Sequence, residues 1–160
     1  MEKLLTEEQR KRFIASVLSK NDCYYVWPDE SNNYSGKDLK GAKYPRTYDC
    51  SGLVTSSLYD ATGIDKRATW NAQKLMEHCG LVDSPLPGDL CFYGPSRTLI
   101  THVMVYIGKS QEGFKGKTVI GASGGDSRNL TPGGDAKVKA YKTHLYRPDF
   151  IAFGRLISKD

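Results

Sequence analysis

The stretch Tyr48-Asp49-Cys50-Ser51-Gly52-Leu53-Val54 decides how this chain is read. Leu53, Val54 and Leu58 recur at steps of one and four up to Gly63, so a helix is predicted from Asp49 or Cys50 to a stop at Gly63. Asp49 then stands at the cap and Cys50 in the first turn. Free N–H groups and the positive helix end stabilise a thiolate there, and such settings lower a thiol pKa from about 8.5 to as little as about 3.5. The small Ser51 and Gly52 let a substrate approach the backbone, and the Cys50 amide is placed to help hold an oxyanion. The same spacing also fits a buried apolar cysteine, and this stretch alone leaves both readings open.

A thiolate that attacks an amide needs a general acid for the leaving nitrogen, and histidine has the pKa for that task. The chain has three histidines. His78 falls late in a helix predicted from Trp70 to His78 and ended by Gly80, where a surface or dipole role is the default. His144 lies in the polar run Lys142 to Arg147 and reads as a loop residue. His102 opens the apolar strand Val103 to Ile107, just after the connection Pro95 to Thr101, so a sheet edge can present it to the helix that carries Cys50. It is the best base of the three.

Outward from this pair, Phe13, Ile14, Val17 and Leu18 fall at helical spacing behind a Thr6 cap. Residues 28–47 are rich in Pro, Gly, Asn, Ser and Lys and read as a long irregular loop. Strands are predicted at Leu90 to Tyr93, His102 to Ile107, Thr118 to Ile120 and Phe150 to Leu156. Helices first and an antiparallel sheet after them give an α+β fold rather than alternating α/β. At 160 residues, with no repeat and no dividing linker, the chain fits a single domain.

Composition narrows the function classes. No apolar run approaches the roughly 18 residues of a membrane span, and the mean hydropathy is −0.50. The net charge of +5 is spread along the chain, and the basic clusters Arg10 to Arg12 and Lys137 to Lys142 lack interleaved aromatics, so nucleic acid is not expected as a partner. Cys23, Cys50, Cys79 and Cys91 are too far apart for the close pair that anchors a structural zinc site, and no metal or other cofactor is expected. Cys23, Cys79 and Cys91 lack a cap or a partnering base and read as structural. The Gly-rich run Gly121 to Gly134 has no Gly-Lys-Ser/Thr ending, which argues against a phosphate loop.

Four segments, taken in order, resemble the NlpC-type papain-like cell-wall peptidases. Tyr24-Tyr25-Val26-Trp27 resembles the segment before the nucleophile, and Asp49-Cys50-Ser51-Gly52-Leu53-Val54 the nucleophile motif. Leu86-Pro87-Gly88-Asp89-Leu90 resembles the Pro-Gly-Asp-Leu turn, and His102-Val103-Met104-Val105-Tyr106-Ile107-Gly108 the strand of the base. The resemblance implies a papain-like core, with N-terminal helices packed on a central antiparallel sheet, in which Cys50 attacks and His102 is base and then acid. It implies that Tyr25 lines the site near the oxyanion and that Asp49 and Ser51 help hold the amino end of the substrate. The implied reaction is cleavage of an amide in peptidoglycan stem peptides, D-glutamyl to diamino acid. Alternatives on the same fold are an amidase of the sugar-peptide bond, an acyltransferase or deamidase, and an inactive cell-wall binding module.

The chain departs from this pattern twice. The family's third catalytic position, usually a histidine, falls on Gly121, so the group that orients His102 is expected to be Ser123, the Gly121 carbonyl or a water. The irregular insertion at 28–47 replaces a shorter connection and is expected to line or cover the cleft. The charged start Met1 to Arg12 is not a signal peptide. The expectation is therefore a monomer of bacterial or phage origin, delivered to the wall by a phage or dedicated secretion route, with that machinery or an immunity protein as partner; the alternative is a cytoplasmic enzyme.

Overall fold

The computed structural model describes residues 2–159. The chain runs β1 (Glu2–Leu4), α1 (Glu7–Ser19), α2 (Cys50–Thr62), α3 (Ala72–Glu77), β2 (Cys79–Val82), β3 (Leu90–Tyr93), β4 (His102–Tyr106), β5 (Val119–Ser123), β6 (Lys137–Tyr141) and β7 (Phe150–Lys159). Short 3-10 turns lie at Glu30–Asn32 and His144–Tyr146.

Local chemistry sets the helix ends. Thr6 caps α1 and exchanges reciprocal hydrogen bonds with Gln9, a capping box. Asp49 caps α2 by accepting from Gly52 N–H at 2.7 Å, and Gly63 ends that helix in the left-handed region, as the spacing predicts. The third helix is shorter than expected: Asn71 caps it, and it closes at His78.

The strands pair antiparallel in the order β1-β7-β3-β4-β5-β6, with β2 also pairing β7. β7 is the spine, and its length lets it bridge β3, β2 and β1 in turn. One face of the sheet carries Val103, Val105, Ile120, Ala122 and Val138 and packs beneath α1 and α2, through Phe13, Val17, Leu53, Val54 and Leu58. Alternation sends the neighbouring side chains to the other face, where Cys91, Tyr93, Met104 and Val119 meet Tyr106, Tyr141, Tyr146, Phe150 and Phe153. This is the expected α+β architecture of helices on an antiparallel sheet.

Two arrangements fix the frame around the site. The Asp89 carboxylate is fully buried and takes bidentate hydrogen bonds from Arg155 at 3.0 and 2.8 Å, plus one from Arg10 at 3.2 Å. The Pro-Gly-Asp-Leu turn therefore ties α1 to β7. The insertion is built rather than loose: Asn32, almost wholly buried, donates to the carbonyls of Trp27 and Leu130 and accepts from the amides of Asp29 and Ser35. Its Gly36 carbonyl accepts the Asp49 amide at 2.8 Å, and a Cβ on Gly52 would lie only 1.9 Å from that oxygen. The insertion thus forms a wall against the first turn of α2, and only glycine fits at 52.

Candidate active site

Cys50 stands at the first position of α2, with 8% of its surface exposed. Helix geometry leaves its amide without an intrahelical partner. The backbone amides of Ser51 and of Val103, the residue after His102 on β4, lie close enough to the sulfur to favour its ionised form. Helix start and strand start thus meet at the thiol. Burial and the neighbouring Asp49 carboxylate nevertheless push the thiol up to about 12, against the pull of those amides and of Arg147. The sequence expectation of a thiol lowered by its helix end gave weight to the amides and missed the burial.

His102 opens β4 and is equally enclosed, at 6% exposure. Burial, helped by the positive Arg147 and opposed by Asp149, pushes the imidazole down to about 3. Burial thus disfavours the charged form of thiol and imidazole alike.

Tyr25 lies beside Cys50 and Asp49, and their negative forms together with burial raise its phenol above the ordinary tyrosine value. Its ring packs on the backbone of Gly125, where a Cβ would come within 2.3 Å of ring carbon Cδ1. Neither the Tyr25 hydroxyl nor the Ser51 hydroxyl has a hydrogen-bond partner among the described residues, and no buried side-chain polar atom is left unpaired there. Both hydroxyls therefore keep some contact with solvent. Asp49 is buried, and desolvation raises its carboxyl to about 6 against the Gly52 amide and Lys37, a residue of the insertion.

The third position differs from the sequence expectation. Ser123 Oγ lies 3.0 Å from Tyr141 Oη, while His102 Nε2 lies 2.8 Å from Tyr146 Oη. Gly121 offers no room for a side chain, because a Cβ there would lie 2.4 Å from Met104 Sδ. Sequence reasoning passed over Tyr146, weighing only His144 in that segment. His144 packs between Phe150 and Phe153, and His78 stacks on Trp70; both lie apart from the thiol.

Surface concavities of about 520 and 420 Å³ lie elsewhere, one lined by Arg10, Ile14 and Leu86 and the other by Lys109, Lys142 and His144. Among the described residues, no group of three or more His, Cys, Asp or Glu side chains is placed to hold a metal ion, and no helix is long and apolar enough to cross a membrane.

Residues 29–129 match the sequence model of the NlpC/P60 family. No curated protein is similar to the chain at the level of sequence. Among solved structures, the P60 domain of an antigen from M. avium subspecies paratuberculosis superposes with a TM-score of 0.61 at 21% identity, over 92% of this chain and 93% of that one. The peptidoglycan hydrolase RipB from Mycobacterium tuberculosis gives 0.60 at 20% identity, over 97% of this chain and 70% of that one. NlpC2 from Trichomonas vaginalis gives 0.62 at 23% identity; 97% of this chain is covered, but only 50% of that protein.

Proposed function

The chain belongs to the NlpC/P60 family, and from that premise we propose that it is a cysteine peptidase that cleaves an amide bond in peptidoglycan stem peptides, between D-glutamyl and the diamino acid. The observation that carries this reading is the meeting of Cys50, at the start of α2, with the start of β4 at His102.

As Cys50 Sγ attacks the carbonyl carbon, its proton passes to His102, so nucleophile and base become charged together. The oxyanion forms where the unpaired Cys50 amide and the Tyr25 hydroxyl converge. Collapse breaks the C–N bond, and the imidazolium gives its proton to the leaving amine, which leaves a thioester on Cys50. Water, deprotonated by His102, then attacks the thioester and releases the acid. Asp49 and Ser51, beside the nucleophile, meet the amino end of the substrate, and Lys37 of the insertion adds a positive charge at that end.

The test is digestion of purified peptidoglycan, with mass spectrometry of the fragments. The reading expects a newly freed amino group on the diamino acid and no change when EDTA is added. Release of whole stem peptides from the sugar would replace the endopeptidase by an amidase. Activity abolished by EDTA and restored by zinc would overturn the mechanism.

A further inference from the structure

His102 Nε2 has a single hydrogen-bond partner among the described residues, the Tyr146 hydroxyl at 2.8 Å. That hydroxyl is held in place. The Tyr146 ring stacks on Tyr141 with centroids 4.0 Å apart and planes 10° apart, and meets the Tyr93 ring edge-on at 5.7 Å. Its 3-10 turn is capped by the Thr143 side chain, and Tyr93 Oη donates to the His144 carbonyl at 2.7 Å. Continuing the register Val105↔Ile120 and Tyr106↔Val119 sets Ser123 opposite His102 and Gly121 opposite Met104. Met104 fills the space that a side chain at 121 would need, and the Ser123 hydroxyl lies 3.0 Å from that of Tyr141, whose ring stacks on Tyr146.

We propose that Tyr146 is the positioning residue of His102 and fixes the tautomer of the base from outside the strand where the family places its third residue. The proposal rests on the reading of Cys50 and His102 as nucleophile and base.

With Nε2 taken by Tyr146, Nδ1 is the nitrogen left for the thiol. To accept the sulfur's proton, Nδ1 must carry a lone pair, so Nε2 must bear the hydrogen and donate it to Tyr146 Oη. The opposite direction, with the phenol donating to Nε2, would place the hydrogen on Nδ1 and leave no acceptor for the thiol. The charged and titratable groups around the imidazole are Arg147, which lies over the Tyr93 ring at 5.6 Å, Asp149, paired with Arg147 at 2.7 Å, and the Tyr93 and Tyr146 phenols. Burial holds the Tyr146 phenol up at about 12, so it stays a neutral acceptor across the working range.

Tyr146→Phe removes one oxygen and keeps both ring contacts, so the fold should hold. Three readouts are measured on the full chain. In ¹⁵N NMR, wild-type His102 should show a protonated Nε2 and a bare Nδ1 at pH 7, and Tyr146→Phe should show a mixture of tautomers. Alkylation of Cys50 by iodoacetamide, read at that residue by peptide mass spectrometry, should be nearly flat from pH 5 to 8 in the wild type and about 10- to 100-fold slower in Tyr146→Phe. Turnover of peptidoglycan should fall in kcat by a similar factor, with KM unchanged within about twofold. Ser123→Ala, whose lost hydroxyl pairs with Tyr141 rather than with the base, should leave all three readouts within about twofold. A wild-type His102 protonated at Nδ1, or a Tyr146→Phe variant with one tautomer and unchanged alkylation, would overturn the proposal. The first two readouts use no cell wall, so their failure leaves the peptidase reading intact. A normal Tyr146 effect in a wild type that releases no peptide would sink the peptidase reading alone.

Discussion

Cys50 takes its setting from its own neighbours in sequence, the Asp49 cap, the Ser51 amide and Gly52, whereas His102 is held by Tyr146, 44 residues further along the chain. On the helix side the decisive groups are backbone: unpaired amides, a cap, and a glycine pressed on the Gly36 carbonyl. On the strand side they are side chains, stacked tyrosines that converge from β3, β6 and the turn before β7. Backbone settings tolerate little change in sequence and leave a readable motif. A side-chain hydroxyl can come from any segment that the fold brings near, so the support of the base can move to a new place in the chain while the base stays where it is.

The comparison breaks most sharply at the base itself. His102→Ala should lower turnover by about 10²- to 10⁴-fold, because a general base contributes that much and the buried thiol, pushed up to about 12, ionises poorly without one. His78→Ala and His144→Ala should stay within a few-fold, measured on the same peptidoglycan preparation. An equal loss at His144 would mean that the wrong ring has been assigned.

A smaller effect sharpens the claim that the strand position is closed. Gly121→His would install the family's usual residue, but its Cβ would meet Met104 Sδ at 2.4 Å. Overpacking of this kind costs about 1–3 kcal/mol, which for a chain of this size lowers Tm by about 3–10 °C, and activity should fall with it. The double variant Gly121→His with Met104→Ala should recover most of the lost Tm, as read by calorimetry. A Gly121→His variant with unchanged Tm and raised activity would show that the position is open and that Tyr146 is dispensable.

The same contrast governs what the sequence makes legible. The α2 boundaries follow from Asp49, the periodic leucines and Gly63, and the strands at 90–93 and 102–106 from their apolar runs; these are short-range signals. β6 is missed because Lys137-Val138-Lys139-Ala140-Tyr141 reads as a basic cluster. It is the last strand of the sheet and buries Val138, and residues 22–25 cover its outer edge, where Asp22 N–H donates to the Val138 carbonyl and Val138 N–H to the Cys23 carbonyl. β2 is short and only partly buried, which blurs the alternation that marks a strand. At the site, Cys50, His102, Tyr25 and Asp49 carry motif signals; Tyr25 and Asp49 lie beside the thiol, and the residue after His102 reaches it through its amide. Tyr146 has no such signal, because its role depends on stacking with Tyr141 and on the turn at 144–146, and both arise only once β6 and β7 have paired into the sheet.

The most direct test of the account compares the wild type with Cys50→Ala on purified peptidoglycan, counting new amino termini over time and measuring Tm in parallel. The account predicts that release falls to background in Cys50→Ala while Tm shifts by no more than a few degrees, since a buried thiol is replaced by a methyl group of nearly equal polarity. Release of amino termini by Cys50→Ala at a rate near that of the wild type, from a protein shown to be folded, would contradict it.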